Sequence, residues 1–201
     1  SSIDGSGPLD ISGNGSTIAA GSFNHNIFDG GVWIFENGVY QAGPLQGTGT
    51  VGAGTGQGFS VALSNDGNTL ASGAPFYGIN GAVIIFTRTA GVWSEEQIVI
   101  TPHMIANEAL GHDVDLSSDG NILIVSRKST VNVIAGTAVC VFERVSGVWQ
   151  EKTITPIVDI PTTVLGPKVS ISSDGSLALV TLPEFINTRS NTQSGGFITL
   201  A

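Results

Sequence analysis

Apolar and polar residues alternate with a period of two over short stretches of this chain, and the stretches recur. GFSVALS (58–64), GHDVDLS (111–117), GPKVSIS (166–172) and the shorter GPLDIS (7–12) put apolar residues at every second position. That pattern predicts a strand with one large-apolar face. A second apolar run follows in each copy: STIAAG, NTLASG, NILIVS and SLALVT. After a variable loop comes a third: GGVWIFE (30–36), GAVIIFT (81–87), GTAVCVFE (136–143) and GGFITLA (195–201). In three copies a tight turn and an aromatic come next, NGVY (37–40), AGVW (90–93) and SGVW (146–149), and EEQIVITP or EKTITP ends two of these as a fourth strand. No stretch has the 3.6-residue period of a helix.

The first two strands of each copy are joined by SxDG or, in the first copy, SGNG. Asp-Gly or Asn-Gly between alternating strands supplies the positive φ angles of a type I′ hairpin or of a nearby bulged turn, and the preceding Ser caps it. The turn glycines Gly15, Gly67, Gly120 and Gly175 are 52, 53 and 55 residues apart, so Asp66, Asp119 and Asp174 are turn formers in a near-constant repeat. Each period codes four antiparallel strands. One such sheet cannot bury both of its faces alone, and setting several around an axis solves that problem. The predicted fold is therefore all-β: a β-propeller of four-stranded blades, one repeat domain over 1–201, with blades at about 7–45, 58–102 and 111–156 and a partial fourth at 166–201.

Within the innermost strand, Val61 and Leu63, Val114 and Leu116, and Val169 and Ile171 form the large apolar face. Ala62, Asp113, Asp115, Lys168 and Ser170 occupy the other face, next to a narrow channel. Asp113 aligns with Lys168 one copy later, which predicts an ion pair between neighbouring blades. Tyr40, Trp93 and Trp149 hold equivalent places at the start of the outer strand and are expected to cover the seam between blades.

QGFSVALSNDGNTLASGAP followed by GAVIIFTRTAGVW resembles an FG-GAP repeat of the integrin-alpha-like propeller type. Gly73, Ala74 and Pro75 match the GAP element; the FG element is degenerate, at Gln57-Gly58, Leu110-Gly111 and Leu165-Gly166. The resemblance implies a seven-bladed propeller, a surface location and, in many relatives, a calcium loop at the first hairpin. Calcium needs six to eight oxygen ligands. Each turn here offers one acidic residue or none, so no metal and no cofactor is expected. The fourth copy ends on its third strand, which leaves three arrangements open: an excerpt of a larger ring, a compact four-bladed ring, or two chains completing each other.

Charged residues are 11% of the chain and its net charge is −9. So acidic a surface repels phosphate backbones and anionic lipid, which argues against nucleic-acid partners. No apolar run approaches the ~20 residues of a membrane-spanning helix. The single cysteine, Cys140, lies in the apolar run AVCVF and is expected to be buried and inert. SSIDGSG, at the start, is unlike an uncleaved signal peptide. Asn14-Gly15-Ser16 is formally a glycosylation sequon but sits in a hairpin turn. GTGTVGAGTGQG (47–58) lacks the lysine and following helix of a phosphate cradle, and is expected to be a flexible linker.

No set of nucleophile, acid and base has a diagnostic spacing. The variable loops instead carry His25, Phe28, Phe76, Tyr77, Arg127, Lys128, Phe185 and Arg189, the residue types of a recognition surface. The expectation is a non-enzymatic binding module, extracellular, cell-surface or virion-associated, with a protein or glycan partner or further copies of itself. An assembly subunit and a lectin-like carbohydrate binder are the alternatives.

Overall fold

The computed structural model describes residues 7–102, 108–129, 138–156, 166–186 and 193–199. They form four antiparallel sheets in chain order. The first holds β1 (Leu9–Ile11), β2 (Thr17–Gly21), β3 (Val32–Glu36) and β4 (Val39–Leu45). The second holds β5 (Ser60–Leu63), β6 (Thr69–Ala74), β7 (Ala82–Thr89) and β8 (Val92–Val99). The third holds β9 (Glu108–Leu116), β10 (Ile122–Ser129), β11 (Ala138–Val145) and β12 (Val148–Pro156). The fourth has three described strands, β13 (Lys168–Ile171), β14 (Leu177–Ile186) and β15 (Gln193–Thr199). One four-residue helical turn, α1 (His25–Phe28), interrupts the strands. The architecture is that of a β-propeller, with β1, β5, β9 and β13 innermost.

The two hairpin signals adopt different turns. At the first hairpin of every blade only the glycine has positive φ: Gly15 at 73°, Gly67 at 68°, Gly120 at 68° and Gly175 at 73°. The turn is thus the bulged alternative and not type I′, which needs positive φ at two central residues. Type I′ angles occur at the outer hairpin, at Asn37-Gly38 (50° and 77°), Ala90-Gly91 (51° and 81°) and Ser146-Gly147 (52° and 79°). The serine explains the bulged form. Ser117 Oγ donates to Asp119 Oδ1 at 2.6 Å and accepts the Ile122 amide at 2.9 Å, while the Gly120 amide closes on the Ser117 carbonyl at 2.9 Å. Ser12, Ser64 and Ser172 make the same set in their own blades.

These turns also join the blades. In the first three blades the residue two before the turn glycine donates its amide to the matching carbonyl of the next blade. Gly13 N bonds Asn65 O at 2.9 Å, Asn65 N bonds Ser118 O at 3.0 Å, and Ser118 N bonds Ser173 O at 2.9 Å. Nearer the mouth, Gly73 of β6 lies so close to the next blade that a Cβ there would sit 2.0 Å from the Gly111 carbonyl oxygen.

The core fills the seams. Val61 and Leu63 pack with Ala19 and Ile34 of the first sheet. Val114 and Leu116 pack with Ala71, Val83 and Ile85 of the second. Val169 and Ile171 pack with Ile124, Val139 and Val141 of the third. Cys140 is buried here, and burial pushes its thiol pKa up to about 12. At the outer rim Arg88 pairs with Glu36 of the preceding blade and stacks on Trp93, 5.3 Å from the ring centre. Arg144 pairs with Glu96 and lies over Trp149, whose Nε1 donates to Glu96 at 3.1 Å. Tyr40, in the first blade, is exposed.

Two outcomes follow. Gly73→Ala puts a methyl group against backbone that cannot swing away, so it should destabilise the fold by about 1–3 kcal/mol in urea unfolding. The turn carboxylates give the second. Asp174, hydrogen-bonded by the Ser172 hydroxyl and by the Ser176 amide and hydroxyl, titrates at about 2 instead of 3.8. The unfolded chain takes up that proton near 3.8 and the folded chain does not, so stability present above this pH is lost as pH falls towards 2. The urea midpoint should therefore drop between pH 4 and 2. Asp174→Asn, which keeps an acceptor as Asn14 does, should make that drop smaller.

Candidate functional site

Each innermost strand starts at the end of the propeller away from the SxDG turns. The position eight residues before the turn glycine stands at this mouth, and in blades two and three it is Phe59 and His112. Their rings are 4.9 Å apart. Phe23 and Phe76, from the second-to-third-strand loops, approach Phe59 at 5.2 and 6.2 Å. Phe23, Phe59 and His112 are half-buried, and Phe76 is exposed. Gly166 makes room for the imidazole, since a Cβ there would lie 2.6 Å from His112 Nδ1 and Cε1.

His112 is held neutral. Burial, then the positive charges of Lys128 and Lys168, lower its pKa to about 4. Its Nδ1 is buried and has no hydrogen-bond partner among the described residues. Just below, Asp113 accepts the Val169 amide at 2.8 Å and Lys168 Nζ at 3.1 Å across the seam. Burial raises the Asp113 pKa, against the pull of that amide and of Lys168. Asp115 accepts the Ile171 amide at 2.8 Å and the Ser170 hydroxyl at 3.0 Å. Asp10, which accepts the Leu63 amide, has a pKa raised chiefly by burial and in part by the negative charge of Asp115. The axis is therefore acidic, and the mouth carries lysines and a neutral imidazole.

The glycine-rich segment is not a flexible linker. Gly47 N donates to Gln57 Oε1 at 2.9 Å, and Gln57 Nε2 donates to the Leu45 carbonyl at 3.0 Å. The amides of Gly52, Gly54 and Ala53 turn onto the Asp29 carboxylate and hold its pKa below the usual range. Positive φ at Gly49, Gly52, Gly54, Gly56 and Gly58 lets the chain curl this tightly. The segment carries the mouth: a Cβ on Gly56 would meet Phe76 at 2.8 Å, and Tyr77 Oη donates to the Thr48 carbonyl at 3.3 Å.

The eight loop residues singled out from sequence are dispersed. Phe76 and Lys128 lie near the mouth. His25 packs edge-on against Trp33 at 4.9 Å. Asn26, Ile27 and Phe28 have φ of 51°, 59° and 68°, a left-handed run that leaves Phe28 exposed. Arg127 is not on an exposed loop: it lies in β10, buried, paired with buried Glu108 at 2.9 Å. The FG-like start of β9 continues its pairing with β10 past a register shift at Ser126/Arg127, which draws Arg127 into the sheet. Lys128 is also in β10, half-buried, and Phe185 is in β14. Arg189 falls outside the described residues. Sequence reasoning missed both Phe59 and His112 as site residues, the HDVD stretch (112–115) having no partner at catalytic or metal-ligand spacing; their matching places before SVALS and DVDLS were the available signal. Among the described residues no group of three or more His, Cys, Asp or Glu could hold a metal ion.

No family model matches the chain, and no curated protein does. Solved structures do. A provisionally assigned 6-phosphogluconolactonase from Bacteroides uniformis ATCC 8492 aligns over 96% of this chain with a TM-score of 0.60 at 19% identity. Another, from Bacteroides fragilis NCTC 9343, aligns over 96% with a TM-score of 0.57 at 16% identity. The periplasmic gluconolactonase of Pseudomonas aeruginosa aligns over 97% with a TM-score of 0.51 at 16% identity. The chain spans 55%, 54% and 57% of these proteins. At such identities the likeness establishes the propeller fold. It also corrects the expectation of a non-enzymatic binding module, with its assembly and lectin alternatives, because the similar structures bear the names of enzymes. The reasoning from motifs failed for a physical reason. A propeller builds its mouth from single residues of different blades, so the lack of a contiguous catalytic motif excludes nothing. No helix of the described residues is long and apolar enough to cross a membrane.

The Arg127 placement has a measurable consequence. Arg127→Ala leaves the Glu108 carboxylate buried without its guanidinium and should cost about 3–5 kcal/mol of stability in urea unfolding.

Proposed function

We propose that the channel mouth binds a small sugar-derived lactone and hydrolyses it, with His112 as general base. The observation that carries this reading is the His112 imidazole: neutral at physiological pH, walled by Phe59, and within the field of Lys128 and Lys168. A neutral imidazole can take a proton from water. The water oxygen then bonds to the lactone carbonyl carbon, the ring C–O bond breaks, and the departing ring oxygen receives the proton as a hydroxyl. The product is an open-chain hydroxy acid. Its carboxylate, and the oxyanion that precedes it, are stabilised by the two lysines. Phe59 and Phe76 offer apolar faces to a sugar ring. The lactonase names of the similar structures support the substrate class.

The repeats we assign to the FG-GAP type, supported by Gly73-Ala74-Pro75 and by the close approach of Gly73 to the next blade. A location outside the cytoplasm is supported by the 11% charged composition and by the periplasmic setting of one similar structure.

The test is hydrolysis of glucono-δ-lactone and of its 6-phosphate, followed as acid release against the spontaneous rate. The wild-type protein should accelerate at least one of them, and His112→Ala should lose about 100-fold or more of that acceleration. Because the imidazole stays neutral down to about pH 4, the catalysed rate should hold level below pH 6.5 and fall only near 4. No acceleration of either lactone, or equal rates for wild type and His112→Ala, overturns the reading.

A further inference from the structure

The three seams between described blades are not made alike at the mouth. The position six residues after the turn glycine is Gly21 in the first blade, Gly73 in the second, Ser126 in the third and Thr181 in the fourth. At the first two seams the glycine is required. A Cβ on Gly21 would lie 2.3 Å from the carbonyl oxygen of Gly58, and one on Gly73 would lie 2.0 Å from that of Gly111. Gly58 and Gly111 each stand nine residues before the turn glycine of their own blade, and Gly166 holds that place in the fourth. Ser126 carries the Cβ that the other two seams exclude. Real Cβ atoms do not come within 3.0 Å of such an oxygen, so the third seam stands further apart here.

Two polar atoms border this wider part of the seam. Ser126 is fully buried, and its Oγ has no hydrogen-bond partner among the described residues. His112 Nδ1, also buried, has none either. Ser126 pairs with Asp113 across β9 and β10, next to His112. Paired residues share a sheet face, and Asp113 uses that face to reach Val169 and Lys168 of the fourth blade. The serine hydroxyl therefore points into the third seam. Nδ1 reaches the same seam from β9, since a Cβ on Gly166 would lie 2.6 Å from it. A buried hydroxyl and a buried ring nitrogen are ordinarily paired, directly or through ordered water. The second seam shows the contrast. There Ser60, in the place of Asp113, donates its hydroxyl to the Gly111 carbonyl at 3.0 Å and spans the seam directly.

We propose that Ser126 positions the His112 imidazole through one buried water. Nδ1–H donates to the water, the water donates to Ser126 Oγ, and the Asp113 carboxylate opposite Ser126 keeps the site polar. An imidazole with its hydrogen on Nδ1 has its free lone pair on Nε2. Ser126 thus selects the tautomer in which Nε2 is the base. The inference rests on the lactone reading only for what Nε2 then does; the tautomer is a property of the fold.

The test reads the tautomer and the reaction separately. In nitrogen NMR of histidine-labelled protein at neutral pH, the His112 ring signals, assigned by their loss in His112→Ala, should show the hydrogen on Nδ1. Ser126→Ala removes one oxygen and adds no atom, so the blades keep their packing, and the hydrogen should move to Nε2. Ser126→Thr keeps the hydroxyl, as Thr181 does at this place in the fourth blade, and should hold the wild-type tautomer. On whichever lactone the wild type hydrolyses, Ser126→Ala should lower kcat about tenfold, the worth of one hydrogen bond, with KM unchanged. Ser126→Thr should restore kcat. A hydrogen on Nε2 in the wild type, His112 signals indifferent to Ser126→Ala, or a fall in kcat without a change of tautomer overturns the proposal, whether or not His112 catalyses. A tautomer that follows the hydroxyl in a protein that hydrolyses neither lactone upholds the positioning and overturns only the catalytic reading.

Discussion

The structure depends on one constraint: each sheet is apolar on both faces and must have a neighbour on each side. Strand alternation alone would give a sheet with one wet face. Here the inner strand sends Val or Leu towards the blade before, while the second and third strands send Ala and Ile towards the blade after. Stability in such an architecture is a sum of blade and nearest-neighbour terms. That explains why the repeated phrase is spent on the seam. The serine and aspartate fix the turn, the turn's amide reaches the next blade, and the glycine of GAP lets the two backbones approach.

Much of this was legible in the sequence, because seams are built from residues at fixed distances from the turn glycine. Strand order, the period and the identity of the large apolar face all follow from that spacing. What was not legible depends on geometry away from the repeat. Type I′ and bulged turns share Asn-Gly and Asp-Gly signals, and only the serine two residues before the aspartate, accepting the amide five residues on, selects the bulge. Arg127 looked like a loop residue because β10 runs further than its counterpart β6, and the buried partner that draws it inward, Glu108, has no equivalent in other copies. The glycine-rich segment looked flexible because glycine content cannot show which carboxylate its amides will enclose; Asp29 lies over twenty residues away.

The candidate site follows the same division. Phe59 and His112 are one position seen in two blades, so repeat alignment finds them, but what they do depends on neighbours the alignment does not register. Burial alone would lower the histidine's pKa, and Lys128 and Lys168 lower it further. Lys168 is itself tied to Asp113. The same carboxylate accepts the Val169 amide, so one side chain ties both the cation and the backbone of the next blade.

This arrangement separates charge along the axis in a chain whose net charge is −9. The carboxylates of Asp10, Asp113 and Asp115 are spent on the exposed amides of the inner strands, where an innermost edge would otherwise present unpaired donors. Ala62 holds the equivalent place in the second blade and cannot do this for the third, so Asp115 accepts the Leu116 amide itself, at 2.8 Å. The acidic lining is thus accounted for by the backbone it satisfies, without a bound cation. At the mouth, Lys168 is likewise held by Asp113 across the seam, whereas the buried Nδ1 of His112 has no hydrogen-bond partner among the described residues, so the packing of the inner strands leaves that nitrogen unexplained.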